Sequence, residues 1–232
     1  LSIRRQRQMC IRDRNNLDYQ SKKKEIIQRY ADIVNGLNMD DAILTTIDET
    51  LELYIEQLSD KPPRLYDALL SCGENFNAQL IAIFNNSQGT PTRYVSPKEA
   101  CLIVTDLPQQ AQILDSSYTD IYKLRNYKEK LIIPGFFGVS QQNYIVTFPR
   151  GGSDITGAII ARSVRASLYE NFTDVSGIYK ANPNIINHPE LIEEITYREM
   201  RELSYAGFSV FHDEALQPLY NCLLYTSDAA DE

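Results

Sequence analysis

The chain has 232 residues, 43% of them hydrophobic, and a formal net charge of −8 at pH 7. This length and apolar content suit one large or two small globular domains and exclude a disordered composition. The acidic balance argues against general binding of nucleic acid or anionic membranes, and no apolar run approaches the roughly 20 residues of a membrane span.

The two ends, "RRQRQMCIRDR" (4–14) and "CLLYTSDAADE" (222–232), stand apart. The second can be encoded by DNA whose reverse complement, read one base along, translates as Arg4 to Asp13. Unrelated protein ends are not expected to be reverse complements, and the string matches a transposase-type sequencing adapter. Residues 1–14 and 222–232 are therefore expected to be adapter-derived tails that pack poorly, and the fold is expected to reside in 15–221. With Cys10 and Cys222 set aside, Cys72 and Cys101 are too few for a disulfide framework or a cysteine zinc site. Two free cysteines fit a reducing, cytoplasmic setting.

In chain order, "SKKKEIIQRYADIVN" places Ile26, Ile27, Tyr30, Ile33 and Val34 on one helical face, and Ile43, Ile47, Leu51 and Tyr54 repeat the stripe. A helical pair is expected over 20–60. Pro62 and Pro63 break the chain. "RLYDALLSCGENFNAQLIAIFNN" reads as a longer helix interrupted at Cys72–Gly73. "RYVS" and "ACLIVTD" are strand-like, "KLIIPGFFGVS" is a short buried strand ended by Pro-Gly, and "NYIVTF" is another strand. A glycine turn leads to a helix over about 154–166, then to the strand "SLYENFTDV" and the turn "SGIY". A helical stretch from Glu190 and a short strand "FSVFH" close the pattern. Strand, turn, helix and strand alternate as in an α/β protein. There is no internal repeat.

The turn "FPRGGSDITGA" carries the first candidate chemistry. Exposed N–H groups at a helix N-terminus attract anions. Arg150 can grip a carboxylate or phosphate with two hydrogen bonds. Gly152 permits close approach of the backbone, Ser153 can donate to the same anion, and Asp154 suits the first turn. The same residues also read as an ordinary helix cap. The glycines match neither a dinucleotide fingerprint nor a phosphate-binding P-loop. In "FTDVSGIY", Thr173 and Asp174 end a strand where open α/β sheets place ligands, and Tyr179 could lie against a flat ring; an ordinary turn is the alternative. Glu74 in "SCGENF" either faces a site or is solvated. His188 and His212 have no metal-ligand spacing, so no metal site is expected.

Taken in order, "LLSCGENFNAQLIA", "PGFFGVS", "VTFPRGGSDITGAIIA", "ENFTDVSGIY" and "ITYREMRELSYAGFSVFHDEAL" resemble the aspartate kinases of the amino acid kinase family. The resemblance covers about 65–216. It implies a three-layer α/β sandwich with a mainly parallel central sheet, incomplete at one edge, with a helical insertion near the N-terminus. It also implies transfer of the ATP γ-phosphate to the side-chain carboxylate of L-aspartate, the first step of lysine, threonine and methionine synthesis, with Mg2+ as the accompanying ion. Arg150, Gly152 and Ser153 would then hold the substrate, most simply by its α-carboxylate, and Glu74 would pair with its ammonium. Asp154 would orient the catalytic lysine, and Thr173, Asp174 and Tyr179 would line the nucleotide pocket. Homo-oligomerisation is implied for a full-length parent.

There are departures from the family pattern. The family's Lys-Phe-Gly-Gly-Ser-Ser segment, bearing the phosphate-binding lysine, does not occur in this sequence, and no regulatory domain follows "HDEAL". Asn182, Pro183 and Asn184 stand where many members have Asp-Pro-Arg, and Ser209 where many have lysine. Truncation at both ends is the expected cause of the two missing segments, and a polypeptide of these residues is expected to be inactive. Another amino acid kinase, or a non-catalytic ligand-binding homologue, is the alternative.

Overall fold

The computed structural model describes residues 19–173, Glu190, Ile192 and 223–228. Three helices open it: α1 (Tyr19–Gly36), α2 (Ala42–Leu58) and α3 (Pro62–Ser87). The expected stripes are the faces they bury. Tyr30 and Val34 of α1 and Ile43, Ile47 and Leu51 of α2 pack on Cys72, Phe76 and Leu80 of α3. Tyr30 meets Phe76 edge to face, with ring centroids 5.8 Å apart, an arrangement the ring quadrupoles favour. Lys23 reaches from α1 to Asp48 (2.9 Å) and Glu52 (2.7 Å) of α2.

Two local expectations need correction here. Pro62 and Pro63 do not merely break the chain; they occupy the first positions of α3, where a missing N–H costs no hydrogen bond. Cys72–Gly73 do not interrupt that helix, which runs unbroken with both residues buried. Glycine inside a helix costs about 1 kcal/mol, but this one lies against α1, with its carbonyl 3.5 Å from Tyr30 Oη. Tertiary packing outweighs the local cost.

The strands are short: β1 (Thr92–Tyr94), β2 (Ile103–Val104), β3 (Lys130–Ile132), β4 (Phe137–Ser140), β5 (Ile145–Thr147) and β6 (Leu168–Thr173). Between β2 and β3 lie α4 (Asp115–Ile121) and a 3-10 turn over Tyr122–Asn126, neither of them expected. After β5 comes α5 (Gly152–Ser163). The segment "KLIIPGFFGVS" forms two strands, β3 and β4, rather than one. Pro134 has no N–H for a ladder, and Phe136 takes a left-handed φ of 78°.

β1 pairs with β3 and β2 with β4 in parallel, and β4 pairs with β5 antiparallel. Parallel pairing thus predominates, though the described strands form separate small ladders rather than one continuous sheet. The layering follows from the two-residue period of a strand. Thr147 of β5 turns its side chain to Asp67 of α3. Its neighbours Val146 and Phe148 join the core with Ile155 and Ile159 of α5, Ile121 of α4, and Leu102 and Val104. Helices therefore cover opposite faces of β5, giving a helix–sheet–helix sandwich. Among the described residues no helix is long and apolar enough to cross a membrane.

The C-terminal tail departs from expectation. Leu223–Asp228 form β7, which runs parallel to β6 from the Leu168–Leu223 pair to the Thr173–Asp228 pair. "LLYTS" is rich in strand-forming residues, and an open sheet edge accepts an extended partner whatever its origin. Residues 1–14 lie outside the described residues, as do the expected turn "SGIY" and strand "FSVFH".

Candidate functional site: the strand-to-helix turn after β5

β5 ends at Thr147 and α5 begins at Gly152, so Phe148–Gly151 convert strand to helix. Gly151 is the N-cap, with φ 80° and ψ 14°, a left-handed conformation that glycine adopts without steric cost. Ser153 and Asp154 therefore stand inside the first turn rather than at the cap. A glycine N-cap has no side-chain oxygen to offer the first-turn amides, and such amides have no partner within the helix. They point outward at the positive end of the helix dipole. Arg150 and Ser153 are exposed beside them, Gly152 is buried and Asp154 is half-buried.

A second loop braces this turn. The Phe136 N–H donates to Thr156 Oγ1 (3.1 Å), whose hydroxyl donates to the Gly152 carbonyl (2.8 Å). The Phe148 N–H donates to the Phe136 carbonyl (2.8 Å). A Cβ on Gly135 would lie 3.1 Å from Ser153 Cα, and one on Gly152 would lie 2.7 Å from Phe148 Cβ. The close packing leaves no room for a side chain at Gly152, and it fixes the direction in which the turn presents its amides.

Tyr169 of β6 covers the other side of α5. A Cβ on Gly157 would run into the Tyr169 hydroxyl. The Tyr169 phenol is pushed up to about 12, first by burial and then by the Asp154 carboxylate. Its folded value lies above the ordinary phenol value of about 10. The stability it contributes is complete below that ordinary value and is lost as pH rises through the folded one. Tyr169→Phe is therefore expected to lose less stability than the parent chain between about pH 10 and 12, as read from denaturation midpoints. Equal losses in both chains would contradict this reading.

Glu74 stands half-buried in α3, two helical turns beyond Asp67 and so on the same face. Next to it, Asn75 Oδ1 accepts a hydrogen bond from Tyr94 Oη of β1 at 2.5 Å. Thr173 closes β6. Asp174, Tyr179, His188, His212, Asn184 and Ser209 lie outside the described residues. The structure thus gathers Arg150, Gly152, Ser153 and Asp154 at one turn and sets Glu74 on the neighbouring helix layer. Cys72 is buried with its thiol donating to the Ala68 carbonyl (3.3 Å), and Cys101 is half-buried.

Asp67 was missed by sequence reasoning. Its side chain is fully buried (0% exposed). Oδ2 accepts from the Gln109 N–H (3.0 Å) and the Thr147 N–H (3.4 Å), and Oδ1 accepts from Thr147 Oγ1 (2.9 Å). Burial raises this carboxyl above its ordinary value, against those hydrogen bonds and the nearby Arg64 charge, which favour the ionised form. Arg64 in turn holds Asp106, Nη2 to Oδ2 at 2.8 Å. The available signal was a lone carboxylate in the apolar run "LYDALLSC".

Fold and turn together define an α/β protein with a glycine-capped helix N-terminus at the end of a strand. The amino acid kinase family matches residues 16–224, and the chain belongs to that family. It is 48% identical over 195 residues to aspartokinase 3 of Bacillus subtilis, covering 84% of this chain and 43% of that one. It superposes on Clostridium acetobutylicum aspartate kinase with a TM-score of 0.73 at 32% identity, over 97% of this chain and 50% of that one. E. coli aspartokinase III, solved in complex with aspartate and ADP, shares the fold with a TM-score of 0.79 at 22% identity, over 97% of this chain and 53% of that one. The chain spans about half the length of the relatives it matches.

Proposed function

We propose that residues 15–221 are part of the catalytic domain of an aspartate kinase, flanked by adapter-derived residues 1–14 and 222–232. The parent enzyme transfers the γ-phosphate of ATP to the side-chain carboxylate of L-aspartate, the first step of lysine, threonine and methionine synthesis. The observation that carries this reading is the glycine-capped N-terminus of α5, with Arg150 and Ser153 exposed beside it. The aspartate and ADP bound by E. coli aspartokinase III are the ligands carried over to this site.

In this reading Arg150 and Ser153 grip the α-carboxylate of L-aspartate at the amides of α5. Glu74 takes the ammonium, which leaves the β-carboxylate free to react. A β-carboxylate oxygen bonds to the γ-phosphorus as the bond to the ADP oxygen breaks. The protein's part is positioning and neutralisation of charge between two anions. Asp154 orients the catalytic lysine, which the resemblance assigns to a Lys-Phe-Gly-Gly-Ser-Ser segment. Thr173, Asp174 and Tyr179 line the nucleotide pocket. Mg2+, when bound, screens the phosphate charge; ions of this kind travel on phosphates with few protein ligands.

The test is calorimetric titration of the chain with L-aspartate and with succinate, which lacks the ammonium. Glu74→Gln is expected to weaken L-aspartate by roughly tenfold, the loss of a charge-assisted hydrogen bond, and to leave succinate unweakened. Equal effects on both ligands would remove Glu74 from the ammonium end.

A further inference from the structure

Asp67 has no place in the proposed chemistry, yet it is a fully buried carboxylate holding three hydrogen bonds. A buried carboxylate is expensive unless its surroundings satisfy it, so its partners are informative. They come from two segments distant in sequence, the loop at Gln109 and the end of β5 at Thr147. Both are tied further: the Ala111 N–H donates to the Thr147 carbonyl (3.1 Å), and Arg64, one turn before Asp67, holds Asp106 of the same loop. Gln109 takes a left-handed φ of 63° to reach the carboxylate.

The position of this joint matters. Thr147 lies three residues before Arg150. Along α3 in the other direction, Glu74 follows Asp67 by two turns, about 10 Å of helix axis. α3 is a continuous helix over this stretch, and the turn after β5 is braced at Phe136 and Thr156. Asp67 is thus the fixed point between two rigid arms, one ending at Glu74 and the other at Arg150.

We propose that Asp67 is a positioning residue: by clamping the end of β5 and the Gln109 loop to α3, it sets the spacing between Glu74 and the Arg150–Ser153 turn. The inference rests on the reading of those two elements as opposite ends of one aspartate site. A ligand that needs both ends then depends on Asp67, and a ligand that needs only the turn does not. A purely structural Asp67 would affect both ligands alike.

The experiment uses the whole chain with Asp67→Asn, which keeps shape and one acceptor oxygen, and Thr147→Val, which removes the hydroxyl donor. Affinities for L-aspartate and succinate are compared with the parent chain, alongside amide hydrogen exchange. Asp67→Asn is expected to weaken L-aspartate by roughly 10- to 10²-fold, the scale of a misplacement of about 1 Å, with succinate little changed. Thr147→Val should give the same pattern at smaller size. Parallel weakening of both ligands, or no change in either, overturns the proposal. If the parent chain binds no L-aspartate, the aspartate-site reading fails, and exchange then decides the joint. Faster exchange confined to residues 147–155 and the Gln109 loop would support the clamp, and unchanged exchange there would overturn it.

Discussion

Arg150→Ala is expected to lower kcat/KM for L-aspartate by roughly 10²-fold, about 3 kcal/mol of transition-state stabilisation, in a chain extended N-terminally by a Lys-Phe-Gly-Gly-Ser-Ser segment. The guanidinium is exposed beside the first-turn amides of α5, so its loss would remove the proposed carboxylate contact while the fold stays intact. Surface substitutions of that kind usually move stability by no more than about 0.5 kcal/mol, and the denaturation midpoint should stay nearly constant. Arg150→Lys keeps the charge but not the planar fork that matches a carboxylate, so it should restore only part of the activity. Aspartate-dependent ADP release measures all three chains. Equal kcat/KM in the alanine variant and its parent would detach Arg150 from the substrate.

The second expectation is larger. A polypeptide of residues 1–232 as it stands should release little or no ADP in response to aspartate, and adding the Lys-Phe-Gly-Gly-Ser-Ser segment should restore turnover. The charge that develops on the transferring phosphoryl group needs several preorganised cations and amides, and each one lost typically costs roughly 10²–10³ in rate. The turn at 150–154 holds an arginine and a serine but no lysine. Brisk aspartate-dependent turnover by residues 1–232 alone would show that the added segment is dispensable. The assignment of the phosphate-binding lysine to that segment would then be withdrawn.

The helical faces were legible because α1 and α2 repeat their apolar stripes over several turns, and Tyr30, Val34, Ile43, Ile47 and Leu51 are the residues they bury. β5 and the turn into α5 were legible for a related reason. An apolar run followed by Arg-Gly-Gly-Ser-Asp is strong local punctuation, although Gly151 rather than Ser153 proved to be the cap. What stayed hidden depends on distant partners. α4 is only seven residues long, too short for a helical period to emerge. It is tied down at Ser117, whose buried hydroxyl donates to the Ile103 carbonyl at 3.0 Å. Asp67 reads locally like any helix carboxylate, because its partners Gln109 and Thr147 lie 42 and 80 residues away. Gly73 looked like a helix breaker because its compensating contact, Tyr30, belongs to another helix. The pairing of β7 with β6 was missed because no sequence pattern marks an edge left open.

The central claim is that Glu74 and the Arg150–Ser153 turn hold the two ends of one L-aspartate. A crystal structure of this chain soaked with L-aspartate tests it most directly. The account requires a single bound molecule with its α-carboxylate at Arg150, Ser153 and the first amides of α5, and its ammonium within hydrogen-bonding distance of Glu74. A well-occupied aspartate that touches the turn while Glu74 faces away from it, or one bound elsewhere on the domain, would contradict the account.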